Sequence, residues 1–240
     1  MTVSADLAAQ LRARHPHLEA ERTPGRVRMD CHLHTVRSGD SVTTPEQMAA
    51  MMKAARLDVI AVTDHHSIEA AEELAARSDL RVIIGEEIRT PVGEIIGLFL
   101  NERVPYVLPL LDAAQRIRDQ GGLVYVPHAF DPLRSGVGWR GLNQLADAGL
   151  LDIIEVFNAK VENQSVNEEA LRSAREFGVP GAAGSDAHDP EGIGAAYVEL
   201  DDFTDASSFV SALAGGSVAG HYFAHARRYL PRDDGARQTA

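Results

Sequence analysis

Two pairs of side chains, each spaced two residues apart, carry the first chemical signal: His32 and His34 in MDCHLHT, and Asp186 and His188 in GSDAH. Alternate residues of a strand project from one face, so each pair offers two donor groups to the same space. Other apolar runs also end in donors: DVIAV leads into Asp64, His65 and His66, VIIG into Glu86 and Glu87, and VYVP into His128. Imidazole and carboxylate without thiolate form a ligand set for Zn²⁺, Mn²⁺ or Fe²⁺. Packed together with no cation, such groups would carry repelling charges in a confined pocket. Cys31, the one cysteine, alternates with His32 and so faces the other way; it allows no intramolecular disulfide and no thiolate-rich zinc site.

Strand-to-helix alternation is what must position these groups. The apolar runs VRMDCHLH, DVIAVTDHH, LRVIIGEEI, GLVYVPHAF, LDIIEVFNA and VPGAAGSDAH are separated by the helical patterns TPEQMAAMMKAARL, SIEAAEELAARS, LPLLDAAQRIRDQG and VNEEALRSAREFG. Thr44 before Pro45 is a helix start, and Gly121 and Gly178 are stops. The piece RTPVGEIIGLFL interrupts the alternation and reads as a hairpin turning at Val92-Gly93, and a last strand, AAYVEL, and a helix follow. The pattern predicts an α/β fold with a mostly parallel sheet covered on both faces, closed or nearly closed into a barrel, with an open doubly wound sheet as the alternative. No GxGxxG or Walker-type loop follows the first strand. In a parallel barrel the C-terminal strand ends converge on one face, which would gather these distant donors. Residues 1–25 read as a helical extension, 26–225 as the barrel and 226–240 as a polar tail.

Not every histidine reads as a ligand. The HPH of residues 15–17 follows a polar stretch and encloses a proline, so it reads as a solvated helix end. His221 and His225 lie toward the C-terminus and are placed outside the site, and Met48, Met51 and Met52, at helical spacing, are core. The net charge of -12, from 23 basic and 35 acidic residues, argues against broad electrostatic binding to long nucleic acid. It is compatible with a small phosphorylated substrate, because bound cations reverse the local sign. No apolar run suits a membrane span and no signal pattern opens the chain, so the expectation is a cytoplasmic protein. Phosphate-binding candidates are Arg134 and Arg140 in FDPLRSGVGWRGL, and Arg37 between His34 and Asp40. Trp139 would stack on a ring or cap its loop. Asp64 and His66 flank His65 and should face away from it, with Asp64 holding an imidazole tautomer.

Taken together, HLHT with SGDS, then TDHH, GEEI, PHAF and GSDAH, spread from about residue 28 to 200 in that order, resemble the motifs of the PHP (polymerase and histidinol phosphatase) family of metal-dependent phosphoesterases. The resemblance implies a distorted (β/α)7 TIM-like barrel with two or three divalent metal ions, Zn, Mn or Fe, at the C-terminal ends of its strands. It implies His32, His34, Glu87 and Asp186 on one ion and Asp40, His65 and His188 on another, with Glu87 and His128 on a third. Glu94 stands where many relatives have a further histidine. Asp64 and His188 become the candidate catalytic residues. The implied activity is hydrolysis of a small phosphoester, a metabolite phosphate or short nucleotide, by attack of a metal-bound hydroxide. The alternatives are an amidohydrolase-type reaction at a C–N or carboxyl ester bond, for which no strand-end lysine offers a bridging ligand, and a non-catalytic binding module.

Overall fold

A computed structural model describes residues 5–223, so His225 and the polar tail lie outside the described residues. Nine strands form one sheet: β1 (Arg26–Leu33), β2 (Val59–Val62), β3 (Val82–Arg89), β4 (Glu94–Leu98), β5 (Leu123–Val126), β6 (Ile153–Asn158), β7 (Gly181–Gly184), β8 (Ala196–Asp201) and β9 (Ser217–Gly220). Their order is β7-β6-β5-β4-β3-β2-β1-β8-β9. The sheet curls until the segment leaving β7 meets β1, where Asp186 N donates to His32 O (2.9 Å) and His34 N to Ala187 O (3.1 Å). The result is a nearly closed, TIM-like barrel. Contact there is tight, since a Cβ on Gly184 would lie 2.3 Å from that of His32.

The sheet is less uniformly parallel than the alternation suggests. β1, β2 and β3 run together, as do β5, β6 and β7, but β4 is antiparallel to both its neighbours and β8 to β1, with β9 antiparallel to β8. The cause at β4 is the tight turn of residues 90–93, where Thr90 Oγ1 donates to Gly93 O (2.7 Å). The reversal matters for the site. Arg89, the last residue of β3, pairs in register with Glu94, the first of β4, so β4 begins at the rim where β3 ends.

Helices α1 (Ala5–Arg14), α2 (Pro45–Ala54), α3 (Glu69–Ala75), α4 (Leu110–Asp119), α5 (Gly138–Asp147), α6 (Ser165–Phe177) and α7 (Ala206–Ala214) complete the fold. Thr44 and Gln47 form a capping box around the first turn of α2, and Gly178 ends α6 with φ 68°. Met48, Met51 and Met52 are buried under α2 together with Leu33 and Ile60; each fully buried side chain of this size contributes about 1.5–3 kcal/mol. β1 shows how pattern becomes position. Met29, Cys31 and Leu33 enter apolar clusters, which leaves Asp30 and His32 on the opposite face. Among the described residues no helix is long and apolar enough to cross a membrane.

The HPH motif is not a solvated helix end. Pro16 opens a short 3-10 turn, Pro16–Glu19, that carries Leu18 into the core, and His15 is fully buried with it. His17 and His221 complete a ring cluster with His15, well apart in sequence from the strand-end donors.

Candidate metal centre

Glu87 is the hub. Its Oε2 lies 3.3 Å from His32 Nε2, 3.2 Å from His34 Nε2 and 3.3 Å from His65 Nδ1, and its Oε1 lies 3.1 Å from His128 Nε2. Asp186 Oδ1 approaches His32, His34 and His188, and Asp40 Oδ2 approaches His65 and His188. Four groups of donors, with ligand atoms within 4.8 Å of one another, follow: His34, Asp40, His65 and His188; His32, His34 and Glu87; His32, His128 and Asp186; and His65, Glu87 and Glu94. The grouping differs from the one the motif resemblance implies. His128, implied with Glu87 and 3.1 Å from it, also sits with His32 and Asp186, and His34 also reaches the Asp40 group. Glu94 is buried rather than an exposed hairpin residue, because antiparallel β4 starts at this rim, and Arg89 donates to its Oε1 from Nε (3.0 Å) and Nη2 (2.9 Å).

The imidazoles are aimed by a second layer. His32 Nδ1 donates to Glu155 Oε1 (3.1 Å), and His34 Nδ1 to Ser38 Oγ (2.8 Å), whose own hydroxyl donates to Asp64 Oδ1 (2.8 Å). Each ring therefore turns its Nε2 toward Glu87 and its partner, and the two Nε2 atoms are 3.0 Å apart. Asp64 is itself fixed by the Thr35 N–H and hydroxyl, both at 2.6 Å, so it faces away from the pocket and acts on His34 through Ser38. Glu155 is a site residue that no motif in the sequence marks. It is fully buried and also accepts from Tyr125 OH (2.9 Å), His128 N (2.8 Å) and Asn158 Nδ2 (2.9 Å). The signal available was a carboxylate in the middle of the apolar run LDIIEVFNA.

The electrostatics call for cations. Burial penalises the charge of Asp186, but Lys160 and the nearby histidines outweigh it and hold the carboxyl well below its usual range. Glu87 behaves likewise: burial opposes its charge, and His65 and His32 overcome that and keep it ionised. Burial also opposes protonation of His65, yet Glu87 and Asp40 raise it to about 9, whereas burial and His188 push His34 down to about 3. Glu87 and Asp40 thus favour a positive charge at His65, and an imidazole nitrogen must be free of its proton to bind a metal ion. The residues fit divalent ions on this structure's own terms: converging nitrogen and oxygen donors, two facing Nε2 atoms, and a buried Asp40 Oδ1 without a hydrogen-bond partner among the described residues.

Among the candidate phosphate ligands, only Arg134 lines this small cavity of about 50 Å³. The Pro132–Arg134 turn buries it: Nη1 donates to Asp131 (2.6 Å) and Nη2 to Lys160 O (2.7 Å), leaving Nε 3.4 Å from Asp186 Oδ2. Arg140 is exposed on α5 and does not line the cavity, because α5 starts at Gly138 and turns Leu142 and Leu145, not Arg140, inward. Arg37 is exposed and pairs with Glu69 (3.6 Å) at the mouth of a second cleft of about 740 Å³, which His65, His66 and Arg103 also line. His66, expected to face away, takes φ 55° and so departs from strand alternation to line that cleft. Trp139 caps its loop: it packs between Phe130 and Phe177, and its Nε1 donates to Glu169 (2.9 Å).

Comparison with known proteins agrees with this architecture. The PHP domain family matches residues 30–118, and the PHP-associated family matches residues 164–218. Two uncharacterised proteins of Methanocaldococcus jannaschii are similar, one 37% identical over 158 residues (60% of this chain, 90% of that protein) and one 33% identical over 178 residues (73% and 71%). A two-domain Bacteroides vulgatus protein described as containing a PHP-like metal-dependent phosphoesterase superposes with TM-score 0.65 at 20% identity, over 85% of this chain and 68% of that one. An amidohydrolase from Chromobacterium violaceum superposes with TM-score 0.54 at 17% identity, over 68% and 88%. At these identities the structural matches speak for the fold. With strand-end donors converging in a nearly closed barrel and matches at both halves of the chain, the protein belongs to the PHP domain family of metal-dependent hydrolases.

Proposed function

We propose that the protein is a cytoplasmic metal-dependent phosphoesterase that hydrolyses a small phosphate ester, a metabolite phosphate or short nucleotide. The observation that carries the phosphate reading is the cationic frame around the metal pocket. Arg134 lines it with an Nε that has no hydrogen-bond partner among the described residues, Arg89 lines it beside Glu94, and Lys160 stands 3.9 Å from Asp186. A phosphate dianion needs such charge, and a neutral amide does not.

When bound, two or three divalent ions (Zn, Mn or Fe) would neutralise phosphate oxygens and bring a water toward a pKa of roughly 7. The protein's own part is placement. His32, His34, Glu87 and Asp186, with Asp40, His65 and His188, fix the ions; Arg134 orients the phosphoryl group against them. The cleft beside His65 takes the rest of the ester, and its volume suits a small-molecule ligand. Its entrance residues Arg37 and Arg103 favour an anionic or polar leaving group, and the net charge of -12 disfavours long nucleic acid.

Phosphate release from a panel of nucleotides and metabolite phosphates, with Mn²⁺, Zn²⁺ or Fe²⁺ added to chelated protein, is the test. Metal-dependent turnover of at least one phosphate ester is expected, and Arg134→Lys, which shortens the fork but keeps the charge, should lower kcat/KM by about 10- to 100-fold. The same panel includes amides and lactones. Turnover of those with every phosphate ester inert would replace this reading with an amidohydrolase.

A further inference from the structure

The segment that joins β7 to β8 carries Asp186 and His188, and it is held in an unfavourable shape. Asp186 has φ 51°, in the left-handed region that non-glycine residues seldom adopt, so its surroundings hold it there. From the inner side the Asp30 carboxylate takes both ends of the segment, accepting from Ser185 N (2.9 Å) and Gly194 N (3.2 Å). From the outer side the hold comes from the N-terminal extension. His15 Nε2 lies 2.7 Å from Glu191 O and His17 Nε2 lies 2.9 Å from Gly194 O. Arg14 pairs with the Glu191 side chain (3.1 Å), and Leu18 seats against Gly194.

The protonation of these rings follows from their partners. A carbonyl oxygen only accepts, so each Nε2 carries its proton and donates. Burial lowers the pKa of both rings, His15 to about 4, which keeps them neutral with Nδ1 bare. Both Nδ1 atoms face His221, whose ring nitrogens lie 3.4 Å from His15 and 3.2 Å from His17. His221 N in turn donates to Ala195 O (3.0 Å), so the cluster grips the end of the same segment from a third direction.

We propose that the N-terminal extension is a strap for the metal centre, in which His15 and His17 are positioning residues that hold residues 185–194 so that Asp186 and His188 present their donors to the ions. The strap rests on the metal reading of the pocket but not on the substrate. Neither histidine touches the pocket; each acts through one backbone carbonyl, and this distinguishes the idea from general packing. Glutamine places an N–H donor close to the position of Nε2, whereas alanine removes the donor.

The test uses the full chain loaded with Mn²⁺ and measures the rate of metal loss into excess chelator for the wild type, the double variant His15→Ala/His17→Ala and the double variant His15→Gln/His17→Gln. The alanine pair is expected to lose metal about 10- to 100-fold faster than the wild type, the range typical of removing a ligand's supporting contacts. The glutamine pair should stay within about threefold of the wild type, because the donors are restored. Metal loss from the alanine pair at the wild-type rate would overturn the strap, as would a folded glutamine pair as leaky as the alanine pair. Should the alanine pair not fold, the single variant His17→Ala is read against His17→Gln by the same criteria. A wild type that takes up no Mn²⁺, Zn²⁺ or Fe²⁺ would instead overturn the metal centre itself.

Discussion

Glu87→Gln is expected to yield a folded protein that retains little divalent metal and turns over its substrate at least about 1,000-fold more slowly, a loss of several kcal/mol of transition-state stabilisation. The side chain is fully enclosed, and its two oxygens face His32, His34, His65 and His128 at 3.1–3.3 Å. No other carboxylate among the described residues lies within 3.3 Å of four imidazoles. Glutamine keeps the shape, so the β3–β4 pairing survives, but it removes the charge that any ion shared between the donor groups would need. In the metal-free variant His32 and His65 lose the carboxylate that favours their protonation, so both should titrate at lower pH than in the wild type. Metal content after gel filtration and phosphate release measured on the same sample check the expectation. Full metal content with full turnover would show that Glu87 is not the hub.

Glu155→Gln should have the next largest effect, although Glu155 lies outside every candidate ligand group. Its carboxylate receives four donors: His32 Nδ1, Tyr125 OH, His128 N and Asn158 Nδ2. An amide in its place turns an NH₂ against some of these, leaving a buried donor without an acceptor. Such a loss costs about 1–3 kcal/mol of stability. The orientation of His32 is lost with it, so metal affinity should fall about 10- to 100-fold. Competitive metal titration and denaturant unfolding measure the two parts separately. Affinity and stability both equal to wild type would mean that His32 is oriented by something else.

The HxH and D-x-H pairs were readable because strand periodicity makes their facing a local property, and the barrel's closure turns local facing into convergence. The hairpin at residues 90–93 was readable too, yet its consequence was not. Only the register of β4 against β3 shows that Glu94 begins a strand at the site's rim. Arg134 and Arg140 looked alike in FDPLRSGVGWRGL; what separates them is where a 3-10 turn ends and α5 begins, and a six-residue spacing does not reveal that. The role of the HPH motif is not legible locally, because its partners, the carbonyls of Glu191 and Gly194, lie more than a hundred residues away. Glu155 is hard to read for a different reason: apolar continuity dominates its run LDIIEVFNA, and nothing local separates its carboxylate from that of Asp152.

Every prediction above depends on separate strand ends building one divalent-metal site around Glu87. Anomalous diffraction from crystals grown with Mn²⁺ or Zn²⁺ tests it most directly. The predicted result is two or three peaks in the pocket, at about 2.0–2.2 Å from donor atoms among His32, His34, Asp40, His65, Glu87, His128, Asp186 and His188. A pocket with no anomalous peak at saturating metal, or peaks confined to surface carboxylates elsewhere, would contradict it.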